Sequence, residues 1–214
     1  MLPNRWFAGI SIGSRAFSVV ELLVIVVMIG VIAGLILPSL AKARQKVEAQ
    51  ESLEYGRSIG AAFQRYTKDN DGRLVPVKQK EMGWAELLVA DKQKHDTVIK
   101  DGIGYNKHLS DVQQIDSIQN PSMTVAFGDT GIVQNPTEKN PNLWREVLPQ
   151  RRSRSLVFDT PLDKGWNEGK RRMINRHRGR ATAIFADGAA VLVPVRYVGF
   201  EYESGDSRSL WDNK

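Results

Sequence analysis

The sequence predicts an α+β fold: one long N-terminal helix, apolar in its first half and amphipathic in its second, packed on a small antiparallel β-sheet. Three observations predict it. Residues 22–37 form a run of sixteen without a polar side chain. Beyond them Ser52, Tyr55, Ile59, Ala62, Phe63 and Tyr66 recur at the spacing of one helical face. After residue 73 the apolar residues gather instead in short runs separated by turn formers.

The first run, extended back to Phe17, supplies about the 20 residues that cross a bilayer core. A secretory signal would end soon after a shorter run, whereas this one continues through Pro38 into helical sequence, so the segment reads as a retained span. Its flanking charges do not fix its direction. Arg5 and Arg15 precede it, and Lys42, Arg44 and Lys46 follow it, which taken alone favours a cytoplasmic C-terminus. A helix over residues 17–67 would extend roughly 75 Å, with Pro38 removing one backbone donor and loosening or kinking it. The stretch Lys68-Asp69-Asn70-Asp71-Gly72 is a helix stop. Expected strands are 124–128 (TVAFG), 155–158 (SLVF), 181–186 (ATAIFA) and 189–195 (AAVLVPV), with long loops over 100–122 and 129–150. Asp187-Gly188, flanked by apolar runs, predicts a hairpin with a two-residue loop.

Composition narrows the function classes. A chain of 214 residues holds one span and one modest domain, which excludes a large multi-domain enzyme. With no cysteine, disulfides, thiolate metal sites and Cys nucleophiles are excluded together. The formal charge is +6, and removing Arg5 and Arg15 from 30 basic residues leaves 28 against 24 acidic ones. The bias is local, because residues 145–180 carry eleven Lys and Arg against four acids. Such a stretch is usually solvated surface, and its functional reading is contact with DNA or another anionic polymer.

Glu21 is costly one turn into an apolar helix unless it finds a partner. The pattern Arg15-Ala16-Phe17-Ser18-Val19-Val20-Glu21 resembles the processing signature of type IV pilins and type II secretion pseudopilins. The resemblance implies a pilin-like fold and cleavage by a prepilin peptidase between Ala16 and Phe17. It further implies N-methylation of Phe17 and pairing of Glu21 with a neighbouring subunit's amine during filament assembly. Pro38 falls where the family often has proline, and Ala16 stands where it usually has glycine, the residue nearest in size. His177, nine intervening residues and Asp187-Gly188 resemble a C-terminal motif found in many pilin-like proteins, with weaker echoes at 68–76, Tyr105-Asn106 and 121–130. The implied organisation is a leader over 1–16, a transmembrane half-helix over 17–40, an amphipathic half over 41–67 and a globular domain over 68–214. The implied partners are the peptidase, other pilin or pseudopilin subunits and the inner-membrane assembly machinery. The domain would lie on the periplasmic side.

Catalytic signatures such as G-x-S-x-G, H-E-x-x-H or a phosphate loop are absent from the sequence, and no enzyme activity or cofactor is expected. His177 and Asp187 are expected to meet across the base of the hairpin, with Asp129 as a third group, chiefly as hydrogen-bonding partners and secondarily as a cation site, although one His and two scattered Asp are too few ligands to name a metal. Glu201, Glu203, Asp206 and Asp212 supply carboxylates like those that bind calcium in some pseudopilins. Their spacing matches no such pattern, and a solvated acidic tail is expected. Two competing functions remain: a tethered or filament-tip binding protein using the basic stretch, and an anchored enzyme built on His177 and Asp187.

Overall fold

The first helix, α1 (Val19–Asp69), is continuous for 51 residues. The computed structural model describes residues 18–79, 82–89, 102–147 and 157–213. Ala16, Phe17, His95, Arg151, Arg152, Arg154 and the first half of the expected 155–158 strand lie outside them. The chain divides into two units, Met1–Arg44 and Gln45–Lys214.

In the first unit every side chain from Val19 to Leu40 is exposed. The helix runs through Pro38. The carbonyl that loses its partner there belongs to Gly34, where the surroundings are open.

In the second unit α1 buries Gly56, Ile59, Gly60, Ala62, Phe63 and Thr67, with Tyr55 and Tyr66 half-buried beside them. This is the face the periodicity predicts, with two glycines added. The helix ends as expected within the Asp-Asn-Asp-Gly stretch. Asp71 takes the left-handed conformation at φ +54°, and the Gly72 N–H returns to the Thr67 carbonyl at 2.8 Å, a Schellman-type closure.

There follow β1 (Lys78–Gln79), β2 (Met82–Gly83), the short α2 (Trp84–Val89), β3 (Ile103–Asn106), β4 (Val125–Ile132), β5 (Val157–Phe158), β6 (Arg171–Met173), β7 (Ala181–Phe185) and β8 (Ala190–Val193). Strands β1 and β2 pair with each other, and the main sheet has the order β5-β3-β4-β7-β8 with β6 also on β4. The sheet is mixed, which corrects the antiparallel expectation. The connection from β4 skips over β3, so β5 arrives on the far edge running in the same direction as β3. Strands β3 and β6 were not expected. β3 lies within the presumed 100–122 loop because Ile-Gly-Tyr-Asn, buried at all four positions, shows no alternation.

The sheet is covered on both faces. Toward α1, Ile59, Phe63, Trp84, Tyr105, Phe127 and Ile184 form one core, with Phe127 at its centre, 5.2 Å from Phe63, 5.0 Å from Trp84 and 4.8 Å from Tyr105 between ring centroids. Toward the C-terminal segment, Val125, Phe158, Met173, Ala183, Phe185, Val198, Phe200 and Trp211 form the second. β7 divides its side chains between them, Ala181, Ala183 and Phe185 to one and Ile184 to the other.

Candidate functional site

The start of α1 carries a capping box. The Ser18 hydroxyl accepts the Val20 N–H at 3.3 Å, and the Glu21 carboxylate accepts the Ser18 N–H at 2.9 Å. The Ser-x-x-Glu spacing of residues 18–21 carries this signal in the sequence, where the filament reading of Glu21 overshadowed it. Among the described residues α1 alone is long and apolar enough to cross a membrane, which is compatible with a single-pass membrane protein.

The second half of α1 docks on the β7–β8 hairpin. Gly56 faces Thr182 and Ala190, Gly60 faces the Gly188 carbonyl, the Ser52 and Thr182 hydroxyls share a 2.7 Å hydrogen bond, and Gln64 donates to the Ala186 carbonyl at 2.6 Å. The hairpin stands where Asp187-Gly188 places it, but its loop has three residues rather than two. Ile184 is opposite Ala190, the Gly188 N–H closes a turn on the Phe185 carbonyl at 2.9 Å, and Gly188 alone of the loop is left-handed at φ +87°. A turn followed by a left-handed glycine is the usual three-residue solution. The exposed Asp187 side chain accepts the Ala189 N–H at 2.9 Å.

His177 and Asp187 therefore do not meet. They flank opposite ends of β7, and His177 lies instead beside Asp129, with Nε2 to Oδ2 at 3.4 Å. Asp129 occupies the fork where β4 leaves β7 and takes up β6. There its buried carboxylate accepts the Thr182 N–H at 2.6 Å, replacing the missing ladder bond. The motif has two structural roles, His177 backing the Asp129 fork and Asp187-Gly188 forming the seat for Gly60. Asp129→Ala leaves the buried Thr182 N–H without an acceptor, a cost of about 1–3 kcal/mol. Thermal unfolding of the detergent-solubilised chain is expected to shift down, with Asp129→Asn, which keeps an acceptor oxygen, falling in between.

Next to the fork, His177 and Arg180 exchange backbone hydrogen bonds at 2.8 and 3.1 Å around a two-residue loop, Arg178-Gly179. Both loop residues are left-handed, Arg178 at φ +53° and Gly179 at φ +79°. An arginine is an unusual occupant of that first position, where Asn, Asp or Gly is preferred.

The C-terminal carboxylates are dispersed. Glu201 pairs with Arg196 at 3.0 Å and Asp206 with Arg208 at 2.7 Å. Asp212 is buried, which corrects the expectation of a solvated tail. Trp211 beside it fills the second core and donates its indole N–H to the Gly199 carbonyl at 2.9 Å. Burial alone would raise the Asp212 pKa. The Ser204 hydroxyl, the Gly205 and Asn213 N–H groups and nearby His108 together outweigh it and hold the carboxyl below its ordinary value. A depressed carboxyl contributes stability that is complete above its unfolded value of about 3.9 and is lost as pH falls through the folded one. Acid unfolding below about pH 4 is therefore expected to flatten in Asp212→Asn when midpoints are compared across pH.

Three arginines of the basic stretch are engaged internally. Arg171 makes a two-pronged pair with Asp159 at 3.1 and 2.7 Å, and Arg176 meets Glu146 at 2.7 Å and the Thr130 carbonyl at 2.6 Å. Arg172 is fully buried, its guanidinium 3.4 Å from the Trp166 ring centroid and 5.4 Å from that of Trp144, with a terminal nitrogen donating to the Trp166 carbonyl. Burial brings its pKa down to about 10, opposed by Asp159 and Asp163. The two tryptophans nearest the basic stretch thus stack on an arginine of the same domain.

No protein-family model, curated protein or solved structure matches the chain.

The chain presents a helix with an exposed apolar first half, a carboxylate held at that helix's first turn, and a second half locked to the sheet through two glycines. Among the described residues no three His, Asp or Glu side chains gather at a spacing that would hold a metal ion.

Proposed function

We propose that the chain is a structural subunit of a type IV pilus-like or type II secretion pseudopilus filament, processed before Phe17 and assembled through its N-terminal helix. One observation carries the proposal: the side chains from Val19 to Leu40 are exposed on all faces of a helix whose continuation is part of the domain core. Apolar surface of that extent requires lipid or other apolar helices around it. In storage the helix spans the inner membrane with the domain on the periplasmic side. In the filament the same surface packs against helices of neighbouring subunits, with Glu21 neutralised by a neighbour's amine.

The absence of native cysteine makes the test clean. Single cysteines placed at Val24, Met28 and Val31 and treated with a bifunctional thiol reagent are expected to give ladders of cross-linked multimers in sheared filaments. Only monomers at all three positions would end the proposal.

A further inference from the structure

We infer that the Arg178-Gly179 turn and α1 together form a binding site for the phosphate of an anionic phospholipid headgroup. A cavity of about 370 Å³ is lined by Gln45, Lys46, Ala49 and Gln50 of α1 together with His177, Arg178, Arg180 and Leu192. Lys46, Arg178 and Arg180 are exposed, and no acidic side chain lines the cavity. Asp129, which meets the lining residue His177, is buried and directed to the Thr182 N–H. Three cations and two amides around one notch match the several oxygens of a phosphate.

The turn itself is a second, independent observation. Arg178 is held at φ +53° where Asn would sit without strain, so the sequence gives up local stability to present a cation there. Strain retained at an exposed turn points to a ligand.

Chain position selects the source of the phosphate. Gln45 is five residues beyond Leu40, about 7–8 Å of helical rise past the end of the 17–40 half-helix. If that half-helix spans the bilayer, Gln45 and Lys46 at the near edge of the notch follow it in the chain closely enough to reach the headgroup layer. Lys42 and Arg44, just before it in the chain, add to the attraction for an anionic leaflet. Ala49 and Leu192 provide apolar wall for the glycerol and upper acyl chain. The inference rests on the membrane-span reading and not on filament assembly.

The test uses the full chain purified in neutral detergent, offered phosphatidylglycerol and phosphatidylcholine together, with retained lipid read by native mass spectrometry. The wild-type chain is expected to retain phosphatidylglycerol selectively. Lys46→Gln, Arg178→Asn and Arg180→Gln are each expected to weaken retention by about fivefold. Arg178→Asn is decisive, because it should weaken lipid retention while keeping or raising the unfolding temperature. Equal retention of the two lipids, or retention unchanged in the three variants, would overturn the inference. So would displacement by millimolar inorganic phosphate, which would mark a free-phosphate site, or by duplex DNA, which would mark a nucleic-acid surface. Recovery of the chain without detergent in the soluble fraction would instead contradict the span reading beneath it.

Discussion

Gly60→Ala is expected to destabilise the domain, although helix propensity alone predicts the opposite. Alanine in place of glycine inside a helix gains about 1 kcal/mol. A Cβ at position 60, however, would overlap the Gly188 carbonyl oxygen and lie 2.9 Å from its carbon. The obstacle is backbone, and it belongs to a hairpin loop fixed by the Gly188 N–H bond to Phe185 and by Gln64 on Ala186. Neither side can yield without separating α1 from β7 and β8. Overpacking against side chains costs roughly 1–3 kcal/mol, and backbone contact places this case at or above the upper end. After the propensity gain, a net loss of about 2 kcal/mol should lower the unfolding temperature by roughly 4–8 °C. Gly30→Ala is the matched control, because a Cβ there meets nothing within 4 Å. Circular dichroism melts of both variants in the same detergent decide the matter. A higher melting temperature for Gly60→Ala would show that the close approach is not a constraint.

The second large effect concerns Glu21, which has two jobs that can be separated. Its carboxylate accepts the Ser18 N–H and closes the capping box, and in the proposed filament its charge meets a neighbour's amine. Glu21→Ala removes both. Glu21→Gln keeps an acceptor for the cap, since glutamine serves in the same box, and removes only the charge. Both variants are expected to be inserted and processed but to fall by tenfold or more (on the order of 1.4 kcal/mol or above) in the sheared-filament fraction. Glu21→Gln should keep a wild-type helix N-terminus as judged by amide exchange. Wild-type filament yield from Glu21→Gln would mean that capping, and not charge, is what the residue supplies.

The helix was legible in the sequence because both of its halves carry strong periodic or continuous apolar patterns. Its docking contacts were only partly legible. Ile59, Phe63 and Tyr66 announce the face, but Gly56 and Gly60, which set how closely the hairpin approaches, have no side chain to register in a hydrophobic pattern. The hairpin was visible in Asp187-Gly188, while its loop length was not, since two- and three-residue loops both accept glycine at a left-handed position. β3 and β6 were hidden for different reasons. β3 is short, fully buried and contains Gly and Asn, and β6, Arg-Arg-Met, reads as charged surface although Arg172 is buried against the Trp166 ring. Three cations of the basic stretch, Arg171, Arg176 and Arg172, serve Asp159, Glu146 and the tryptophans, while Arg178 and Arg180 stay exposed. The spacing of His177 and Asp187 suggested a shared site, but a strand of five residues between them puts them at opposite ends. Asp129, distant in sequence, takes the place that was assigned to Asp187.

The central claim is that this helix is processed and then polymerised. Its most direct test is the mass and N-terminal residue of the protein recovered from sheared filaments. The account predicts a chain beginning at N-methylated Phe17, present in the filament fraction and absent from it when the prepilin peptidase is removed. An intact chain beginning at Met1, found in the membrane fraction and never in filaments, would contradict it.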